Sequence, residues 1–295
     1  MAEADGTSRS PGPRGGWRRL LVLALKWGLF AAVLFFVGRA LVTQFAEVSW
    51  ETVHFNVPLV VLAAVCVVVA RGLCFVAYGF LVRRMGHRPP WGAMAGTMWV
   101  AQTAKYVPGK IGSIVSLVLL WGRYGIPGQV TVSTVFIVDG LSVVIGMLFA
   151  IPLTLYEPLR SYLPMAWLWC VLGTAAALVC LHPRVFGWVG NRALRLAGYQ
   201  PLPSLPRVSD YWGPIVAMLV QYFFLALGYW LVARSLTFVP ASALPVLFSS
   251  VVVVTIASFL AFFAPGGVGV QEGLILLLFS PITGGGFAAV IAVLV

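Results

Sequence analysis

The chain has 295 residues, of which 61% are hydrophobic and only 9% charged, with a formal net charge of +11. Soluble domains run near a quarter charged, so this composition excludes an ordinary soluble fold, and a mean hydropathy of +0.99 points to an α-helical protein with many membrane passes. The apolar runs are too long and too little alternating for a transmembrane β-barrel, and the basic residues sit at their ends, where membrane topology is written, leaving no basic patch for a nucleic acid.

Residues 1–16, rich in Gly, Pro, Ser and Arg without apolar periodicity, are expected to be a disordered basic tail. Arg14, Arg18 and Arg19 precede an apolar run from Leu20 to Val42. It is longer than the core of a signal peptide and no small-x-small cleavage site follows, so it reads as a retained first span. A loop with Glu47, Glu51 and His54 leads to a second span, Val57 to Val82, which carries Arg71. Behind the basic loop of Arg83, Arg84, His87 and Arg88 comes an apolar stretch from Trp91 to Trp121, interrupted at Pro108-Gly109. A Gly-Ile-Pro-Gly turn at 125–128 opens a span from Val130 to Leu155. A short loop with Glu157 and Arg160 separates it from the next span, Leu163 to Leu181. The longest loop, His182 to Asp210, holds Arg184, Arg192, Arg195 and Arg207. A span from Tyr211 to Leu236 follows, then a second broken stretch from Ala243 to Pro281, split at Pro265-Gly266. The last apolar run, from Gly284 to Val295, is shorter than the roughly 20 residues a crossing needs, and reads as a short or truncated helix.

Charge decides whether the first broken stretch crosses or turns back. If it turns back, the tail and the basic loops 83–90, 121–129 and 182–210 all lie on one side. If it crosses, the arginine-rich 182–210 loop lands outside. The positive-inside rule therefore favours a re-entrant hairpin and a cytoplasmic N-terminus in the cell (inner, cytoplasmic) membrane. The expected fold is an all-α polytopic membrane protein, a single transmembrane domain over 17–295 with about six full spans, two re-entrant helical hairpins and the short last helix. The unit "span, broken hairpin, span" occurs at 57–155 and again at 211–295, and opposite starting sides make these inverted repeats. Pro108, Gly109, Ile111, Gly112 and Leu117 recur at a constant spacing as Pro265, Gly266, Val268, Gly269 and Leu274. Paired interrupted segments of this kind point to a transporter's binding site.

Few ionisable side chains lie away from the span ends: Arg71, Lys105, Lys110, Asp139 and Glu272. A charge at the helix centre costs about 2.5–3.5 kcal/mol on insertion scales, so it normally faces protein or water. Asp139 reads either as an ion-coupled or headgroup-binding carboxylate or as half of a structural ion pair, for example with Arg71. Ser142 and Gly146 on the same helix permit close helix contact. Lys110 follows the first break, where freed N–H groups of a half-helix and a cation together suit an anion such as phosphate. The spacing is not that of a Walker A loop. Lys105 either shares that work or snorkels to the surface. Glu272 falls in the first turn of the second half-helix, where the dipole favours a carboxylate; it is either a capping acid or a contact for a cationic headgroup. Cys66, Cys74, Cys170 and Cys180 have no metal-ligand or CxxC spacing, and His54, His87 and His182 sit in loops. No catalytic motif, metal site or cofactor is expected, and the loops are too short to house a domain of about 50 residues.

Three segments carry a resemblance: Lys105-Tyr-Val-Pro-Gly-Lys-Ile-Gly-Ser113, the Asp139-Gly-Leu helix, and Ala264-Pro-Gly-Gly-Val-Gly-Val-Gln-Glu-Gly273. Over about residues 20–295 the chain resembles the lysylphosphatidylglycerol synthase transmembrane (flippase-like) family, which includes the membrane half of the bacterial multiple peptide resistance factor. The resemblance implies a lipid translocator with re-entrant helices around a headgroup cavity. It would handle aminoacylated phosphatidylglycerol, as in the bifunctional relatives, or a polyprenyl-linked lipid. Its implied substrate contacts are Lys105, Tyr106, Pro108, Gly109, Lys110 and Gly112 at the first break, and Pro265, Gly266, Gly267, Gly269, Gln271 and Glu272 at the second, with Arg71 and Asp139. Two departures bear on the substrate. The family often has Arg before the glutamate, where this chain has Gln271, and an Arg shortly after the first break, where 114–117 have none; both weaken the case for a lysylated lipid. These residues hold no soluble aminoacyl-transferase domain, so no enzyme activity is expected of them. The alternative is an intramembrane transferase using Asp139 or Glu272 as base, or an accessory subunit for a membrane enzyme in a lipid-linked glycan pathway.

Overall fold

The computed structural model describes residues 14–46, 56–103, 111–154, 165–196, 206–261, 264 and 267–294. The first break, including Lys105, Tyr106, Pro108, Gly109 and Lys110, lies outside the described residues, as do Pro265 and Gly266. Every regular element among the described residues is helical: α1 (Arg14–Ala46), α2 (Val57–Arg84), α3 (Trp91–Thr103), α4 (Ile111–Gly122), α5 (Gly128–Thr154), α6 (Ala166–Leu181), α7 (Pro183–Leu196), α8 (Trp212–Leu236), α9 (Leu244–Leu260), α10 (Val270–Thr283) and α11 (Gly285–Leu294). Single 3₁₀ turns at Val208–Tyr211 and Ala241–Ala243 lead into α8 and α9.

The frame is the antiparallel pair α2 and α8. Asn56 caps α2, its side chain accepting from the Leu59 N–H at 3.4 Å, with a proline in the first turn where no N–H is missed. At that end the Asn56 N–H donates to the Ser235 carbonyl of α8, 3.2 Å away. At the other end Arg84 pairs with Asp210 just ahead of α8, at 3.7 Å. The first of these ends is called the far face below, and the second the basic face.

The remaining contacts assign each helix a direction. Thr134 near the start of α5 meets Met85 at 3.7 Å, so α5 leaves from the basic face. Tyr211 donates to the Leu181 carbonyl at 2.9 Å, so α6 ends there. Arg83 donates to the Pro89 carbonyl at 2.8 Å and lies 4.3 Å over the Trp91 ring, which fixes the start of α3 at the same face. Trp121, in the last turn of α4, is fully buried and donates to Thr97 in α3 at 2.9 Å. Helices α3 and α4 thus enter and leave by the basic face, as the charge pattern requires. The α9–α10 pair starts from the far face, because Phe248 packs on Phe149 near the end of α5, ring centroids 4.8 Å apart. It folds back where Gly267 lies against Ser258, and α10 then packs on α9 and α11. Helix α1 lies along α10 and α11, with Val33 and Val37 against Gly269 and Gly273.

By length and composition, four described segments can each cross a membrane: Val57–Arg84, Gly128–Thr154, Val208–Leu236 and Ala241–Leu260. Helix α6 with Pro183–Arg192 of α7 makes a fifth only as a pair bent by 68°. One expectation needs correction. Residues 182–210 are not all loop, since α7 occupies Pro183–Leu196. The bend has a plain cause: Pro183 pushes His182 out of the helical region, to φ −59 and ψ 128. The first arms of the two broken stretches differ in length. Helix α3 has 13 residues, whereas the segment ending in α9 has 20, long enough to cross by itself.

At Gly146 α5 lies close against α9; a Cβ there would overlap Ile256 Cγ1. Gly146→Val is therefore expected to cost about 1–3 kcal/mol through overpacking. Thermal unfolding in detergent should show a lowered midpoint, partly restored by a second change, Ile256→Ala. An unchanged midpoint in Gly146→Val would mean that the two helices separate freely.

Candidate functional site

Helix α2 is apolar apart from one stripe. Arg71, Cys74 and Tyr78 fall at i, i+3 and i+7 and so share a face. The Tyr78 hydroxyl donates to Asp139 Oδ1 at 2.6 Å, and Tyr78 is 7% exposed. A charge-assisted bond of this kind is what a carboxylate inside an apolar bundle requires. Arg71 and Asp139, both among the described residues, are not ion-paired with each other; Tyr222 of α8 is buried at 2% exposure.

Two turns further along α8, Tyr229 continues the line. It is 3% exposed. The Gln271 amide donates to its hydroxyl at 3.4 Å. Two hydrogen-bonded polar pairs thus lie inside the apolar bundle, Tyr78 with Asp139 between α2 and α5 and Tyr229 with Gln271 between α8 and α10; with Arg71, Tyr222 and Glu272 beside them they are called the polar thread below. Arg71 also opens onto a cavity of about 130 Å³ against α3, shared with Cys74, Met98, Trp99 and Gln102. That is smaller than the roughly 300 Å³ from which whole-ligand sites begin; it has room for part of a headgroup. Among the described residues no three His, Cys, Asp or Glu side chains gather as a metal site would require.

The second break owes its glycines to geometry. Gly267 and Gly269 have φ of +79 and +85, the left-handed region where a side chain is strained. A Cβ on Gly267 would also sit 2.8 Å from Ser258 Cβ, and one on Gly269 2.9 Å from Val33 Cγ1. The turn is thus clamped between α9 and α1. Glu272 Oε2 accepts the Gly269 N–H at 2.6 Å, so this carboxylate does cap α10, next to Gln271, which meets Tyr229. Ser258 Oγ, buried beside the turn, has no hydrogen-bond partner among the described residues. Gly112 is half-buried in the first turn of α4.

Of the sequence-derived candidates, the fold brings Arg71, Asp139, Gln271 and Glu272 onto one thread, with Gly267 and Gly269 shaping its end. The tyrosines that join them carried no motif. The available signal was periodicity: polar residues at i, i+3 and i+7 of α2, and tyrosines seven apart on α8.

No curated protein matches the chain. A family model does: that of the lysylphosphatidylglycerol synthase TM region matches residues 20–295. It covers every helix of the thread and both broken stretches, and the chain belongs to the lysylphosphatidylglycerol synthase TM region family.

Proposed function

We propose that the protein is an integral membrane lipid translocator, moving a phospholipid or lipid-linked headgroup between leaflets while the acyl chains stay in the bilayer. One observation carries this reading most: the buried polar pairs Tyr78–Asp139 and Tyr229–Gln271 lie in an apolar bundle whose two broken helix pairs start from opposite faces. In secondary transporters, substrate sites lie at such repeat interfaces. The thread offers a cation in Arg71 and carboxylates in Asp139 and Glu272, which suits a headgroup with a phosphate and an attached polar or amine group. Lys105 and Lys110 at the first break add the anion-binding end of this reading. Residues 17–295 act as one unit in the cell membrane with the N-terminus cytoplasmic. The lipid is aminoacylated phosphatidylglycerol, another phospholipid or a polyprenyl-linked species.

The test is reconstitution into liposomes with a leaflet-specific assay of labelled phosphatidylglycerol. Wild-type protein should accelerate exchange, and Arg71→Gln should slow it by about 10- to 100-fold, the worth of a hydrogen bond to a charged group. Lys110→Ala should do the same. Exchange no faster than in protein-free liposomes would sink the reading for that lipid class. Mass spectrometry of the same lipids separates it from the transferase alternative, since translocation leaves every mass unchanged.

A further inference from the structure

Helix α7 is unlike every other helix in the bundle. Its sequence, PRVFGWVGNRALRL, is balanced between polar and apolar, with arginines at 184, 192 and 195 and no acidic residue. On a helical wheel at 100° per residue the three arginines fall in one arc of about 80°, with Trp188 inside it, and Val185 and Val189 follow Arg192 about 20° and 60° further round. All three arginines are exposed, and Trp188 and Val189 are 71% and 52% exposed. The opposite side is tied to the protein: Gly187 is buried and Phe186 packs on the core. The 68° bend at His182-Pro183 turns the helix away from the line of α6.

We infer that α7 lies in the plane of the membrane on the basic face and docks on the headgroups of anionic phospholipids. The pattern is that of an interfacial helix: low net hydrophobicity, all three arginines and an exposed tryptophan in one arc, and apolar residues around the rest. Charge complementarity names the occupant. A surface with three arginines and no carboxylate repels another basic face and matches phosphate. The docking has a route inward, because Leu181 at the bend packs directly on Gly140, the residue after Asp139. The docking itself does not depend on what the thread transports.

Hydrogen–deuterium exchange on the full chain tests this, comparing nanodiscs of phosphatidylcholine alone with nanodiscs containing phosphatidylglycerol. Amides of 184–196 should exchange more slowly in the anionic discs, and high salt should remove the difference. Each basic residue near an anionic surface is worth roughly fivefold, so the variant Arg184→Gln/Arg192→Gln/Arg195→Gln should lose most of the effect. Arg88→Gln/Arg123→Gln, on the same face but outside α7, should keep it. Equal exchange of 184–196 in the two lipids overturns the inference. So does protection that follows the number of protein copies per disc, which would assign this face to a second copy of the chain.

Discussion

Asp139→Asn is expected to slow lipid exchange in liposomes by about 10- to 100-fold while leaving the protein folded. The substitution keeps the shape of the side chain, and the Asn carbonyl can still accept from Tyr78, which now stands 2.6 Å from Oδ1. What it removes is the negative charge. Slowed exchange in a variant that stays folded separates a working carboxylate from a structural one. Had Asp139 been retained for packing alone, the Asn variant would translocate at the wild-type rate. Tyr78→Phe makes the complementary case. It leaves the charge but removes a donor, at a cost of about 1–3 kcal/mol for an under-satisfied buried group, so here the melting temperature should fall.

The sequence was informative where bilayer physics leaves few options. Spans 57–82, 130–155 and 211–236 read directly from apolar runs with charged ends, because a crossing helix has nowhere else to put its backbone or its charges. The in-and-out path of α3 and α4 followed from charge alone, since one arginine-rich loop would otherwise lie on the wrong side. The reading lost accuracy where local sequence competes with burial. Residues 182–210 look like a loop because arginines interrupt the apolar residues, yet the interruption has a helical period and yields α7. The site was legible in its charges and not in its connections. Arg71 was one candidate partner for Asp139, but the carboxylate accepts from Tyr78, and Arg71 opens with Cys74 onto the cavity against α3. A tyrosine in an apolar helix reads as ordinary core, and only the helix neighbours reveal that its hydroxyl has a carboxylate to meet.

Glu272 presents two roles at once, and two substitutions should split them. Its carboxylate accepts the Gly269 N–H at 2.6 Å, the work of a cap, and it stands next to Gln271, which meets Tyr229 in the thread. Glu272→Gln keeps an acceptor oxygen for Gly269 and loses only the charge–dipole contribution, about 0.3–1 kcal/mol. Glu272→Ala loses the cap as well, at about 0.5–2 kcal/mol. The melting temperature should therefore fall slightly for Gln and further for Ala, while lipid exchange should fall by about 10- to 100-fold in both. Exchange at the wild-type rate in Glu272→Gln would leave Glu272 as a capping acid and nothing more. The double variant Asp139→Asn/Glu272→Gln carries the sharper test. Residues that act on the same substrate through one connected path do not add, whereas independent sites do. Because both carboxylates serve one headgroup on the proposed reading, the double variant should be little slower than the worse single variant. A full product of the two losses would mean that the thread is two separate sites, each serving its own helix pair.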